Sequence, residues 1–219
     1  MEYTPARDDH GLPFSPFSAC LVPRPIGWIS TLSADGVPNL APFSFFNGVG
    51  YAPPTVVVCP NGPHAEGGEK DTPVNIAATG EFVVNVATLD LAEKLNVTGM
   101  AHPRQVDEFA AAGLTATPSA VIRPPRVAES PIHLECRHLT TVLLPSWTAH
   151  PLRAVFGEVV RVHIDDGLIV DGRVSMEKLR PLARLGYQDY CGLGEVFEMP
   201  LPEFDRLLRP EMPDDKARR

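Results

Sequence analysis

The chain has 219 residues, 44% of them hydrophobic and 21% charged, which suffices for one large domain with a sizeable core. A net charge of −8 argues against nucleic acid as the main partner, because phosphate contacts need clustered Lys and Arg. The 24 prolines favour short strands and loops over long helices. In chain order, residues 1–23 carry Pro5, Pro13, Pro16 and Pro23 and read as an N-terminal arm lying on the surface. A domain over residues 24–200 and a tail over 201–219 follow, its end from Pro210 polar.

The stretch Arg24 to Asn47 splits into two apolar runs around Ala34-Asp35-Gly36. Asp-Gly between hydrophobic runs predicts a hairpin, because Gly takes positive φ without penalty. Ile26 to Ser33 carries apolar groups on both faces, as a strand buried on both sides does. The second arm ends in Ala41-Pro42-Phe43-Ser44-Phe45-Phe46-Asn47. Pro42 cannot donate to a ladder, so the strand must stop, bulge or lie at an edge there. A strand that stops among aromatic rings and small polar groups can offer backbone N–H groups to a flat ligand.

Ala52-Pro53-Pro54 makes a rigid connection into the β-branched run Thr55 to Cys59, and Pro60 to Gly68 is a Gly/Pro loop. Lys70-Asp71-Thr72-Pro73 opens a helix, with Asp71 or Thr72 as N-cap, Pro73 at the first helical position and Gly80 as its stop. Glu81 to Ala87 is another strand. A helix of two to three turns starts near Thr88, and a shorter one spans Val106 to Ala112 before Gly113. Pro131 to Leu144 and Leu152 to Ile164 are long β-rich segments, with a short helix from Ser175 to about Arg180. Strands dominate, with short helices inserted, so a mainly β, barrel-like α+β domain is expected.

Three pieces can carry chemistry: the hairpin end at Ala41–Asn47, the helix start at Lys70–Thr72, and the first arm's face with Trp28 and Thr31. A helix N-terminus offers free N–H groups and partial positive charge, which suits a phosphate. Lys70 adds a full charge and Thr72 a hydroxyl, whereas Asp71 would repel phosphate and is assigned to capping or to a sugar hydroxyl. Taken singly, Lys-Asp-Thr is also what an ordinary capped helix shows, and Trp28, Phe43, Phe45 and Phe46 are also what a core shows.

Together and in this order the motifs resemble the FMN-binding, flavin reductase-like family with a split β-barrel of Greek-key type. They are Arg24 to Thr31 (RPIGWIST), Asn39 to Asn47 (NLAPFSFFN), Pro53-Pro54 and Lys70 to Ile76 (KDTPVNI). Gly80 to Val86, Val106 to Leu114, Leu134 to Cys136, Phe156 to Ile169 and Arg184 to Tyr190 continue the match. The resemblance implies FMN, in some members FAD, at a homodimer interface. It implies a flavin ring resting against Ala41, Pro42, Phe43, Ser44 and Asn47, and a phosphate held at Thr31, Lys70 and Thr72. Trp28, Asp71, Asn75, His102, Arg184 and Tyr190 are carried over as further cofactor-binding positions. Tyr187 departs from the family's frequent Arg-Leu-Gly-Gly by following Gly186 with a bulky ring.

The implied activity is hydride transfer from NADH or NADPH to flavin, with electrons passing to free flavin, a monooxygenase partner or another acceptor. The flavin carries that chemistry, so no side chain is assigned a catalytic role. Rivals are a flavin carrier without turnover, a split-barrel oxidase of another substrate such as a pyridoxamine phosphate, and a heme-handling or structural barrel. Other chemistries lack their motifs: Gly48-Val49-Gly50 has no third Gly, and there is no G-x-S-x-G or H-E-x-x-H. Cys20, Cys59, Cys136 and Cys191 lie far apart without zinc spacing, and His133 and His138 fall on opposite faces of one strand, so no metal is expected. No stretch approaches the ~20 apolar residues of a membrane span, and no basic segment followed by an apolar run opens the chain. The expected compartment is the cytoplasm.

Overall fold

The computed structural model describes residues 1–5, 7 and 10–199, so the 201–219 tail and Pro200 lie outside the described residues. Seven strands form one antiparallel sheet: β1 (Gly27–Leu32), β2 (Pro38–Phe43), β3 (Phe46–Tyr51), β4 (Pro54–Val58), β5 (Glu81–Val86), β6 (Ile132–Leu144) and β7 (Leu152–Ile164). Their order is β2-β1-β5-β6-β7-β4-β3. Short helices are inserted between them: α1 (Asp71–Thr79), α2 (Ala92–Thr98), α3 (Glu108–Ala111) and α4 (Met176–Leu179).

The two ends of this order, β2 and β3, are consecutive in the chain and separated only by Ser44 and Phe45. The sheet must therefore curl until its ends meet at that corner. Packing shows the closure: a Cβ at Gly27 of β1 would lie 2.7 Å from the Phe46 ring of β3. Across the interior, a Cβ at Gly157 of β7 would collide with the Phe82 ring of β5. The barrel core takes Ile29, Phe43, Val58, Phe82, Cys136 and Val155, one from each of six strands, with Ile76 of α1. Strand alternation sends Trp28 and Leu40 to the opposite face, where Leu91, Leu95, Phe109 and Leu182 bury them in a second core. The fold is a split β-barrel, mainly β, with helices inserted.

The hairpin around Gly36, at φ 84, forms as expected, and β1 is buried along Gly27 to Thr31. Three local expectations need correction. Helix α1 begins at Asp71, so Lys70 is its N-cap and Pro73 is its third residue. α3 is confined to Glu108–Ala111, because Asp107 caps it by accepting from the Phe109 and Ala110 amides. Residues 46–51 form a full edge strand, where the second arm was expected to end at Asn47 with no element assigned to 48–51; β3 has only Phe46 partly buried, so its apolar pattern is weak. Among the described residues no helix is long and apolar enough to cross a membrane.

The β6–β7 hairpin extends past the body of the barrel. Leu139, Val142, Leu143 and Leu144 are exposed there, and Trp147 in the connection is 82% exposed.

Candidate functional site

A cavity of about 480 Å³ opens between the end of β2, the start of α1 and the loops at 63–65 and 98–102. A second, of about 210 Å³, adjoins it and shares Pro42, Phe43 and Gly99. The two form one groove running over the end of β2. The first half brings together Ala41, Pro42, Phe43, Lys70, Asp71, Thr72 and His102 of the expected residues, and the second adds Ser44, Arg184 and Tyr190. Gly99, at the end of α2, lets the helix close on the groove floor: a Cβ there would lie 3.2 Å from Pro42 Cγ.

The floor is an edge. Leu40 donates its amide outward to Glu108 Oε2 at 3.1 Å. Antiparallel alternation then turns Pro42 outward as well, and the amides of Ala41 and Phe43 back into β1. Free amides within this strand are therefore not available to a ligand. Leu40's is taken, Pro42 has none, and Ser44 is the first residue past the strand. The proline lies at an edge, one of the three ways it could be accommodated.

Beneath the floor lies a closed polar network. Thr72 Oγ1 donates to Asn39 Oδ1 at 2.9 Å, and Asn39 Nδ2 donates to Glu108 Oε1 at 3.0 Å. Asn75 Nδ2 donates to Thr31 Oγ1 at 3.0 Å, and Thr31 in turn reaches Asn39 Oδ1 at 3.4 Å. Burial raises the Glu108 pKa, opposed by its bonds from the Leu40 amide and Asn39. Among the described residues no buried side-chain nitrogen or oxygen lacks a partner. Neither Thr31 nor Asn75 lines either half: Thr31 is fully buried behind Thr72, and Asn75 lines a separate cavity beside Val74 and Arg104. Trp28 is fully buried and reaches the groove only through Thr98, to whose hydroxyl its Nε1 donates at 2.9 Å. Asn47 lies on β3, exposed, its Oδ1 accepting from the Gly48 amide, and lines neither half.

The rim is different. Lys70 Nζ sits 5.5 Å from the centroid of the Phe43 ring, joining the helix start to the strand end. Burial lowers its pKa, and no carboxylate pairs with it among the described residues. The neighbouring Asp71 is already engaged by Arg104 and lies 3.5 Å from His64 Nε2. At the other end Arg184 stacks on Tyr190, 4.4 Å from the ring centroid, and donates to its hydroxyl. Arg24 pairs with Arg184 across two short strands, Arg24–Pro25 and Ala183–Arg184. Its pKa is lowered, first by burial and then by that neighbouring charge. Arg24 Nε donates to Ser44 Oγ at 3.3 Å, fixing the hydroxyl. His102 is held by Val97 O, 2.9 Å from its Nε2. Tyr187 takes φ 58, a conformation that favours Gly, and its ring packs on Phe14 at 5.8 Å, outside both halves of the groove.

Arg24, Asn39, Arg104 and Glu108 were not picked out as site residues. Arg24, Asn39 and Glu108 stand inside recognised motifs, and Asp107-Glu108 ahead of an apolar residue is a readable cap. Arg104 gave no local signal, since its partners Glu66 and Asp71 are 38 and 33 residues away.

A family model described as flavin reductase like domain matches residues 18–180. An uncharacterized protein of Aquifex aeolicus is 37% identical over 191 residues, covering 87% of this chain and 94% of that protein. Nitrilotriacetate monooxygenase component B from Bacillus cereus superposes with a TM-score of 0.82 at 31% identity, over 91% of this chain and 98% of that one. The 2-nitrobenzoate 2-nitroreductase NbaA of Pseudomonas fluorescens superposes with a TM-score of 0.77 at 28% identity, over 93% and 98%.

Proposed function

The chain belongs to the flavin reductase-like family, and from that membership we propose that it is an FMN-dependent oxidoreductase that accepts a hydride from NADH or NADPH. The observation that carries this reading is Lys70, a partly buried cation with no acidic partner among the described residues, stacked on the aromatic floor of a groove. A cation desolvated without a counter-charge favours an anionic ligand there, and a phosphate fits. The groove then continues over Pro42 and Phe43 to Ser44, Arg184 and Tyr190, giving an apolar floor and polar ends for a flat ring.

Bound FMN supplies the hydride chemistry. This chain's residues bind and orient it. Lys70 neutralises the phosphate, with Thr72 beside it once its hydroxyl turns from Asn39. Pro42 and Phe43 exclude water from one ring face, and Ser44, fixed by Arg24, offers a hydroxyl to the ring edge. The relative from Bacillus cereus is named as a monooxygenase component, which supports an oxygenase as the consumer of the electrons here. Two copies would pair through the exposed apolar face of the β6–β7 hairpin, giving a particle of twice 23.8 kDa in sedimentation.

Steady-state oxidation of NADH and NADPH with FMN present tests the reading. Turnover that depends on added or bound FMN supports it. A flavin-loaded protein inert to both nucleotides contradicts the reductase activity and leaves a flavin carrier.

A further inference from the structure

The narrow half of the groove owes Arg184 and Tyr190 to a turn that the N-terminal arm holds from outside. The turn closes on two backbone bonds. Leu185 donates its amide to Asp189 O at 2.9 Å, and Asp189 donates to Gly186 O at 3.0 Å. Tyr187 is the first central residue of that turn, at φ 58. A side chain in the left-handed conformation carries a cost that glycine escapes, and it persists only where its surroundings hold it. Arg184 donates to the Tyr187 carbonyl as well as to the Tyr190 hydroxyl. The conformation of residue 187 therefore sets where the Arg184 guanidinium lies.

Three contacts hold the arm against this turn. The Phe14 ring packs on the Tyr187 ring at 5.8 Å, tilted by 57°. The single helical turn Phe17–Ala19 lies on Gly186, where a Cβ would collide with Ala19. Arg24 ties the two segments together: Nη1 donates to Ser18 O and to Leu21 O, and Nη2 donates to Leu185 O at 2.8 Å. The same guanidinium holds Ser44 through Nε, so one planar fork reaches the arm, the turn and the end of β2. Phe14 belongs to no barrel strand and is 67% exposed, so core burial does not explain its pairing. A glycine at 187, frequent in the family, would suit the turn better but could not grip the arm.

We propose that the N-terminal arm is part of the site: Phe14 and Tyr187 latch it across the 185–189 turn, and the latch holds Arg184 and Tyr190 in place for the ring end of the ligand. Phe14 and Tyr187 line neither half of the groove and act as positioning residues. That the ligand is a flavin rests on the reading above, whereas the latch itself does not.

Phe14→Ala tests it, because it removes the grip at an exposed position and leaves every groove residue in place. In the ligand-free, full-length protein, hydrogen exchange at the Leu185 and Asp189 amides should quicken at least about fivefold while the unfolding midpoint stays put, the mark of a local opening. FMN and riboflavin should both bind more weakly by one common factor, at least about threefold, the scale of one aromatic pair, because the Lys70 end is untouched. Tyr187→Phe, which keeps the ring, should match the wild type in both measurements. Unchanged exchange in Phe14→Ala, or faster exchange with unchanged affinity, overturns the proposal. A loss confined to FMN overturns it too, since that places the effect at the phosphate end. Failure of the wild type to bind either flavin would remove the flavin reading and the latch's role toward it, while the exchange comparison would still decide whether the arm holds the turn.

Discussion

Two polar regions lie on either side of the β2 edge, and they are built on opposite principles. Below the edge, Thr31, Asn39, Thr72, Asn75 and Glu108 are hydrogen-bonded to one another. Above it, Lys70 and Arg184 face a groove, and among the described residues neither pairs with a carboxylate. Buried polar groups that are fully paired hold a backbone in one arrangement. A desolvated charge left unpaired is costly in isolation and is relieved when an opposite charge arrives. The first region is scaffold and the second is receptor, and the Thr72 hydroxyl, lining the groove while bonded to Asn39, is where they meet.

The comparison makes stability and ligand affinity separable. The largest effect should come from Glu108→Ala, which strands the Asn39 amide and the Leu40 N–H in the interior. Denaturant unfolding should show a loss of about 3 kcal/mol, the scale for breaking a buried charged hydrogen-bond set. A loss below about 1 kcal/mol would mean the network is not structural.

A second sealed polar group extends the scaffold class to the far side of β6. His133 is buried, its Nε2 2.8 Å from Val127 O and its Nδ1 3.2 Å from His163 Nδ1. Burial pulls its pKa down to about 4. The unfolded chain then binds this proton below pH 6.5 while the folded chain does not until about pH 4. Its contribution is therefore intact above pH 6.5 and is lost as pH falls from 6.5 to 4. The loss amounts to roughly 3 kcal/mol at about 1.4 per unit. His133→Gln should flatten that acid limb in pH-dependent unfolding.

Lys70→Ala should act on the receptor alone, weakening FMN by about 2 kcal/mol while unfolding stability moves by less than about 0.5. Because burial lowers the lysine pKa, the wild-type affinity for FMN should also decline on the alkaline side earlier than for an exposed lysine. Equal losses of stability and affinity in this variant would erase the distinction between the regions. Ser44→Ala should give the smallest change, about 1 kcal/mol in FMN affinity, through one neutral hydrogen bond.

The sequence made the barrel legible because its signals are local. Asp35-Gly36 marked the hairpin, Pro42 marked a stop, a bulge or an edge, and Gly80 marked the end of α1. The ordered motifs also name Lys70 and Ser44, which line the two adjoining cavities. What stayed hidden depends on partners distant in the chain. Thr31 alternates along β1 like any small polar residue, and only the arrival of Asn75 from α1 seals it. Arg104 sits in an undistinguished loop, and its role exists only once the 63–69 segment folds back against it. β3 was missed because an exposed edge strand of Asn, Gly and Val carries little apolar pattern.

The central claim is that Lys70 is held unpaired for the phosphate of a flavin mononucleotide. Parallel titration of the apoprotein with FMN and with riboflavin, which differs only by lacking that phosphate, tests it most directly. The account predicts FMN bound at least about tenfold tighter, the worth of one charge-assisted contact. Equal affinity for the two, or no binding of either, would contradict it.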